Sequence, residues 1–357
     1  MRILYQAPVS WDWIRQRPHF MAEGLARSGY DVLWLYAANL FRGRLVNRRI
    51  GNLHILEVPI LPFASRIPLF AWLNRLWVSL WCRKERSFDI AVLTVPLALP
   101  SLPRAVFELP VVYDCMDIQS EFHDGWKKER TLRAERFLTS RSRRIVTSSE
   151  SIRDFLIRRF QFPEDRMVVI SNGIDIAAGV RGRAVPVTRP SVAYFGTISS
   201  WLDLDSIIIA ARENEAVSFD LFGPAEHGLP DGLPGNVHIH APLSHDDAIA
   251  QMRCADVLMM PFLRNELTEG VDPVKMYEYL QAEKPIVSSW WPLLDKFKGF
   301  PAVRFYDAAR GFSSCVRSAL AGPKTFARPV DFLSRNDWSV KTGEFSKVLE
   351  LAYGGND

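Results

Sequence analysis

A chain of 357 residues exceeds the size at which one hydrophobic core stops growing, so two domains are expected, and 48% hydrophobic residues suffice to fill them. No apolar run approaches the roughly 18 residues of a membrane span, and Met1 leads directly into the strand-like Arg2-Ile3-Leu4-Tyr5 rather than into a signal peptide. The net charge of +4 is uneven: residues 1–170 carry 26 Lys+Arg against 17 Asp+Glu, hence +9, and the remainder 18 against 23, hence −5. That turns the first half toward a phospholipid surface or a phosphorylated acceptor and not toward nucleic acid, because the basic residues are scattered among acids and no recognition module is present.

Taken in chain order, short apolar runs alternate with amphipathic segments, the rhythm of parallel sheets covered by helices. In the first half strands are expected at 3–7, 32–36, 54–58, 90–95, 111–113, 144–147 and 168–170, with helices at 17–28, 69–84, 128–140 and 151–160. Ser149-Glu150 reads as the mouth of the last of these, a hydroxyl cap followed by a carboxylate at the positive end of the dipole. Residues 179–190, broken by Gly182, Pro186 and Arg189-Pro190, read as a linker. The rhythm restarts at Ser191, with strands at 192–195, 219–222, 237–240, 257–260 and 286–288 and helices at 204–213, 246–254 and 274–282. The expected division is therefore a domain over 1–178, a linker over 179–190, a second domain over 191–330, and a tail over 331–357 whose helix can cross back to the first domain. Cys82, Cys115, Cys254 and Cys315 form no C-x-x-C pair, which fits a reducing cytoplasm and no zinc site.

Ligands of open parallel sheets bind beyond the carboxyl ends of the strands. Tyr194-Phe195-Gly196-Thr197 has the makings of a phosphate loop, since glycine lets backbone amides approach an anion and a helix follows. Asp203-Leu204-Asp205 matches a D-x-D metal pair, but carboxylates in a first helical turn also steady the helix, and that reading is preferred over a metal. The richest stretch runs from Met259 to Leu280. A buried strand leads through a polar loop to Pro273, which suits a helix start, and then to Lys275 and Glu278, three residues apart on one helical face. A lysine at a helix mouth suits a diphosphate, and a carboxylate one turn further suits two sugar hydroxyls; an exposed ion pair has the same spacing. The loop from Ser10 to His19 holds Trp11, Trp13, Arg15 and Arg17, which can stack on a sugar and neutralise an acceptor phosphate, or else cap and pack a helix. Asp12, His19, Asp114, Asp117 and His123 are the proton-acceptor candidates, all lying beyond strands of the first half. Residues 66–86 place Trp72, Leu73, Leu76, Trp77, Leu80 and Trp81 at helical spacing with a basic edge. Such a stripe serves a membrane surface if it faces out and a core if it faces in, so the expected location is the cytoplasm, peripheral on the inner membrane face in the first case.

The ordered pieces Tyr113-Asp114-Cys115-Met116-Asp117, Val146-Thr147-Ser148-Ser149, Ser171-Asn172-Gly173-Ile174-Asp175, Tyr194-Phe195-Gly196, Phe222-Gly223-Pro224, and Asn265-Glu266-Leu267-Thr268 leading into Pro273 to Leu280 resemble the GT-B-fold glycosyltransferases. The likeness is to the family-4-like (group 1) bacterial enzymes of polysaccharide synthesis, including the teichuronic-acid type, and it covers most of residues 1–290. It implies an α/β protein of two Rossmann-like domains facing across a cleft, an acceptor domain and a donor domain. The implied reaction moves a sugar from a nucleotide-diphosphate donor, a UDP-sugar being favoured, to a lipid-linked or growing polysaccharide, with retention and without metal or other cofactor. Carried over by position, Glu278 holds the ribose, Lys275 the diphosphate and Gly196 with Thr197 the phosphate end. Phe262 and Arg264 border the base, and Glu266, Val274 and Met276 complete the donor set. The family often has a further glutamate eight residues before the ribose glutamate; here that position is Gly270, for which Glu266 or Glu269 can substitute. An inverting transferase, a nucleotide-sugar epimerase or phosphorylase of the same fold, and a non-catalytic sugar-binding subunit are the alternatives.

Overall fold

The computed structural model describes residues 1–355 apart from 42, 65, 84–86, 179–181, 227, 231 and 308–310; of Glu266 only the backbone is described. The chain divides into two compact units, the first comprising Met1–Asn172 with Trp338–Asp357 and the second Gly173–Asp337.

In the first unit the elements follow as β1 (Arg2–Gln6), α1 (Arg17–Arg27), β2 (Asp31–Asn39), β3 (Val46–Ile50), β4 (Leu53–Ile60), α2 (Pro68–Cys82), β5 (Ile90–Leu93), β6 (Val111–Cys115), α3 (Gly125–Arg141), β7 (Arg144–Thr147), α4 (Glu150–Phe160) and β8 (Met167–Val169). The eight strands lie in the order β3-β4-β2-β1-β5-β6-β7-β8. All pairs are parallel except β3 with β4. Strands covered on both faces read as continuous apolar runs, and β1, β5 and β6 are almost wholly buried for that reason. Ser149 caps α4 by accepting from the amide of Ile152 at 3.3 Å.

The second unit holds β9 (Ser191–Phe195), α5 (Leu204–Glu213), β10 (Ser218–Phe222), β11 (Val237–His240), α6 (His245–Cys254), β12 (Val257–Met260), α7 (Glu266–Glu269), α8 (Val274–Gln281), β13 (Ile286–Ser289), β14 (Val303–Tyr306), α9 (Phe312–Ala321) and α10 (Val330–Arg335). Its sheet, β11-β10-β9-β12-β13-β14, is parallel throughout and reverses its order between β9 and β12. The last helix, α11 (Trp338–Gly354), belongs to the first unit. There Trp338 stacks on Phe20 at 5.0 Å, and Gly24 of α1 lies so close that a Cβ would stand 2.4 Å from Thr342 Oγ1.

Several elements differ from expectation. The edge strands β3 and β14, and α9, were not anticipated. The described part of the expected linker is fastened to α6 of the second unit: the amides of Arg183 and Val185 donate to Asp247 and Gln251, and Gly182 abuts the Asp246 carbonyl. It is therefore not a free tether. Helix α8 begins at Val274 as expected, with Pro273 as its cap residue rather than its first helical residue.

One buried carboxyl under β6 makes stability depend on pH. Glu135 of α3 is fully buried; one oxygen accepts from Tyr113 Oη at 2.8 Å and the other finds no hydrogen-bond partner among the described residues. Burial pushes its pKa up to about 7, against which the Tyr113 bond acts only in part. The folded state thus holds a proton that the unfolded chain releases near its ordinary value, so stability is full below that value and falls as pH rises toward 7. Glu135→Gln, neutral at every pH, is expected to raise the urea midpoint relative to wild type at pH 8 and to leave it nearly unchanged at pH 4.5. The difference approaches roughly 3 kcal/mol by linkage, and urea titrations of both proteins across that range measure it.

Candidate functional site

The second sheet reverses its order between β9 and β12, and in open parallel sheets ligands bind beyond the strand ends at such a point. Gly196 follows β9 directly, at φ +140°, and a Cβ there would lie 2.2 Å from Lys275 Cε. Only glycine lets the lysine stem lie flat on the turn. Gly223, in the same position after β10 at φ +154°, is pressed likewise against the Gly196 carbonyl.

The Lys275 ammonium stands 5.8 Å from the Tyr194 ring centroid and 5.9 Å from that of Phe262, with no hydrogen bond or ion pair among the described residues. Burial lowers its pKa, and the charge of Glu278 draws it partly back. The neighbouring acid, Asp272, is already answered by Lys296 at 2.6 Å and by Tyr277 Oη. Among the described residues no side chain caps the start of α8, so a cation without an ion pair and the first amides of a helix share one corner. That corner attracts an anion. One turn along, Glu278 Oε1 lies 3.0 Å from Nε2 of His245, which opens α6 behind the capping Ser244. The imidazole fixes the carboxylate and leaves its other oxygen for a ligand. Nothing in the sequence pattern singles out His245, which lies 33 residues away.

The remaining donor candidates divide. Thr197 stays at the loop, its carbonyl accepting from Tyr194 Oη at 2.9 Å, and Val274 opens α8, half-buried. Phe262 walls the corner, stacked on Trp291 at 6.1 Å. Met276 faces the core with no exposure, so its side chain serves packing. Arg264 pairs with Glu269 at 2.6 Å and lies 5.5 Å from Trp290. Glu269, one substitute for the carboxylate missing at Gly270, is held in this exposed ion pair, and the side chain of Glu266 lies outside the described residues. Asp203 caps α5 through the amide and hydroxyl of Ser206, which accounts for the D-x-D pattern.

The first unit reassigns most of its candidates. Arg17 and Asp114 are buried and joined at 3.0 Å. Arg17 also donates to the carbonyls of Ile170 and Ser171, and Tyr5 Oη donates to Asp114 at 3.2 Å. The pair bolts α1 to the sheet; neither partner is free for an acceptor or a proton. His19 is fully buried. Its Nδ1 accepts from the Gln16 amide and its Nε2 donates to the Ser10 carbonyl, which defines a neutral ring, and burial lowers its pKa to about 4. It completes a capping box and cannot also serve as base. Asp12 pairs with Arg48, Arg15 pairs with Glu23 over the ring of Phe20, and Trp11 packs edge-on to Trp34 at 5.0 Å. Trp13 alone of that loop's aromatics stands out, half exposed.

Asp117 is different. It lies in the turn after β6, half-buried, and its carboxylate has no hydrogen-bond or ion-pair partner among the described residues. Burial raises its pKa to about 6, offset by Arg17 and helped by the charge of Asp114. An unpartnered carboxylate titrating there is suited to accept a proton near neutrality. His123, six residues on, is half-exposed, and burial lowers its pKa.

Two sheets of this strand order, with a glycine turn and an uncapped helix at the reversal of the second, define the GT-B fold. Over nearly the whole of both chains the structure superimposes on the sucrose-phosphate synthase of Thermosynechococcus elongatus, with a TM-score of 0.74, 11% identity and 99% of each chain covered. It superimposes equally fully on an Escherichia coli trehalose-6-phosphate protein bound with UDP-2-fluoro glucose, with a TM-score of 0.68, 13% identity and 99% of each covered. Residues 19–178, somewhat less than half of the chain, match the family model described as Glycosyltransferase Family 4. The chain is also 23% identical over 208 residues to TuaH of Bacillus subtilis (strain 168), named as a teichuronic acid biosynthesis glycosyltransferase. That match spans about half of each protein, 53% of this chain and 52% of the relative.

Proposed function

We propose that the protein is a glycosyltransferase that takes a sugar from a nucleotide-diphosphate donor and places it on a saccharide acceptor, lipid-linked or growing, at the inner face of the cytoplasmic membrane. The observation that carries this reading is the unpaired Lys275 ammonium, seated on Gly196 at the uncapped start of α8. In this reading the donor diphosphate lies against Lys275 and the first amides of α8, and Glu278, steadied by His245, accepts the ribose hydroxyls. The fold match to a protein bound with UDP-2-fluoro glucose supports a uridine donor.

In the transfer, the acceptor oxygen forms a bond to the anomeric carbon as the bond from that carbon to the diphosphate breaks. Negative charge builds on the departing phosphate, where a preorganised cation and helical amides stabilise it. The hydroxyl proton goes to Asp117. Family resemblance implies retention of anomeric configuration, whereas an unpartnered base of this kind favours inversion, and the anomer of the product distinguishes the two. The test of the donor site is a thermal-unfolding panel with UDP, GDP, ADP and CMP. One nucleoside diphosphate is expected to raise Tm saturably; no shift with any of them overturns the reading.

A further inference from the structure

Helix α2 is inside out for a soluble domain. Its buried side consists of Ala71, Asn74 and Val78, and its outer side of Leu69, Trp72, Leu73, Leu76, Trp77 and Leu80, each 37–59% exposed. The orientation is locked. Asn74 donates to the Leu61 carbonyl at 2.9 Å and accepts from the Leu61 amide at 2.8 Å, a two-point bond that fails if the helix rolls. Arg75 adds a bond to the Pro100 carbonyl. The apolar stripe is thus held outward by buried polar contacts.

The charge around the stripe has one dominant sign. Residues 58–84 contain no acidic residue. Arg66, just before α2, lies over the half-exposed Trp126 ring of α3 at 3.8 Å, which ties the start of α2 to the start of α3. Along α3 from that contact come Lys127, Arg130 and Arg133, the two arginines lining a groove with Pro100 and Trp126 in which Glu129 is the single acid. Exposed Phe63, at φ +60°, extends the aromatic edge.

We propose that this surface docks on an anionic lipid bilayer, with the α2 stripe lying in the headgroup region and Arg66, Arg83, Arg130 and Arg133 meeting the lipid phosphates. An apolar helical face with tryptophans and a cationic border gains from both burial and charge at such an interface. A second copy of the chain is the poorer occupant, because a two-fold contact through this face would set like arginines against one another. No described helix is long and apolar enough to cross a membrane, so the contact is peripheral. The inference stands apart from the donor site, and the two fail separately.

Cosedimentation with vesicles tests it, using phosphatidylcholine alone and a mixture of phosphatidylcholine with phosphatidylglycerol. The wild type is expected to sediment with the anionic vesicles at least about tenfold more tightly than with the neutral ones, and to be released by salt. Leu76→Glu combined with Trp77→Glu, at exposed positions, is expected to abolish binding with an unchanged circular dichroism spectrum. Arg130→Glu combined with Arg133→Glu is expected to remove the anionic preference. A wild type that remains in the supernatant, a Leu76/Trp77 variant that binds as wild type, or a concentration-dependent dimer in light scattering that the same variant dissolves would each overturn the proposal.

Discussion

Lys275→Ala is expected to weaken nucleoside diphosphate binding by about 10- to 100-fold, the span of one or two charge-assisted hydrogen bonds. The same change should leave the free protein as stable as wild type, or slightly more so. A partly desolvated ammonium that makes no ion pair costs stability until a ligand supplies the charge, and Lys275 lies against two ring faces with the nearby charge of Glu278 offsetting its burial only in part. An ion pair of the ordinary structural kind behaves oppositely: breaking it destabilises the apo protein and leaves ligand affinity alone. Isothermal titration and thermal unfolding on the same two samples separate the cases. If the variant binds UDP like wild type while its Tm falls, Lys275 is a structural residue. Gly196 strengthens the expectation, because its bare α-carbon is what allows the lysine to lie at the strand end.

The second large effect is on turnover. Asp117→Asn keeps size and shape and removes the proton acceptor, so kcat is expected to drop by about 10²- to 10⁴-fold with nucleotide affinity unchanged. With the Asp117 pKa raised to about 6, wild-type kcat should climb as pH rises through 6 and then level off, and the variant should lose that limb. Asp114 provides the control. Asp114→Asn is not expected to copy this behaviour, since that carboxylate neutralises buried Arg17; its loss should appear in stability. A full rate for Asp117→Asn would remove Asp117 as the proton acceptor.

Much of the architecture was legible because buried parallel strands must be apolar along their whole length. β1, β5, β6, β9 and β12 show such runs, and the restart at Ser191 marks the second sheet. The strands missed are those to which this pressure does not apply. β3, Val-Asn-Arg-Arg-Ile, is an antiparallel edge with an exposed face, and β14, Val-Arg-Phe-Tyr, closes the other sheet half-buried. Helix α2 shows a different limit. A Leu/Trp stripe has one period whether it faces in or out, and the deciding contact, Asn74 with Leu61, involves a backbone that no pattern reveals.

The site was legible where chemistry is local. Gly196, Lys275 and Glu278 stand out because a turn, a helix mouth and one helical turn fix their relation. Pairings across the fold were not visible. Arg17 reaches Asp114 over 97 residues, and His245 reaches Glu278 over 33. Asp114 and Asp117, three residues apart, look alike as letters; one is consumed by a buried guanidinium and the other left open.

The return of α11 to the first unit has a consequence for how the molecule is made. Trp338, Thr342 and their neighbours seal α1, yet they leave the ribosome only after the whole of Gly173–Asp337. The first unit begins synthesis before the second but completes its packing after it, which reverses the usual order of vectorial folding. A nascent chain stalled before Trp338 would present Phe20 and the face of α1 uncovered, a natural handle for chaperones, and a fragment ending at Asn172 is a partial domain.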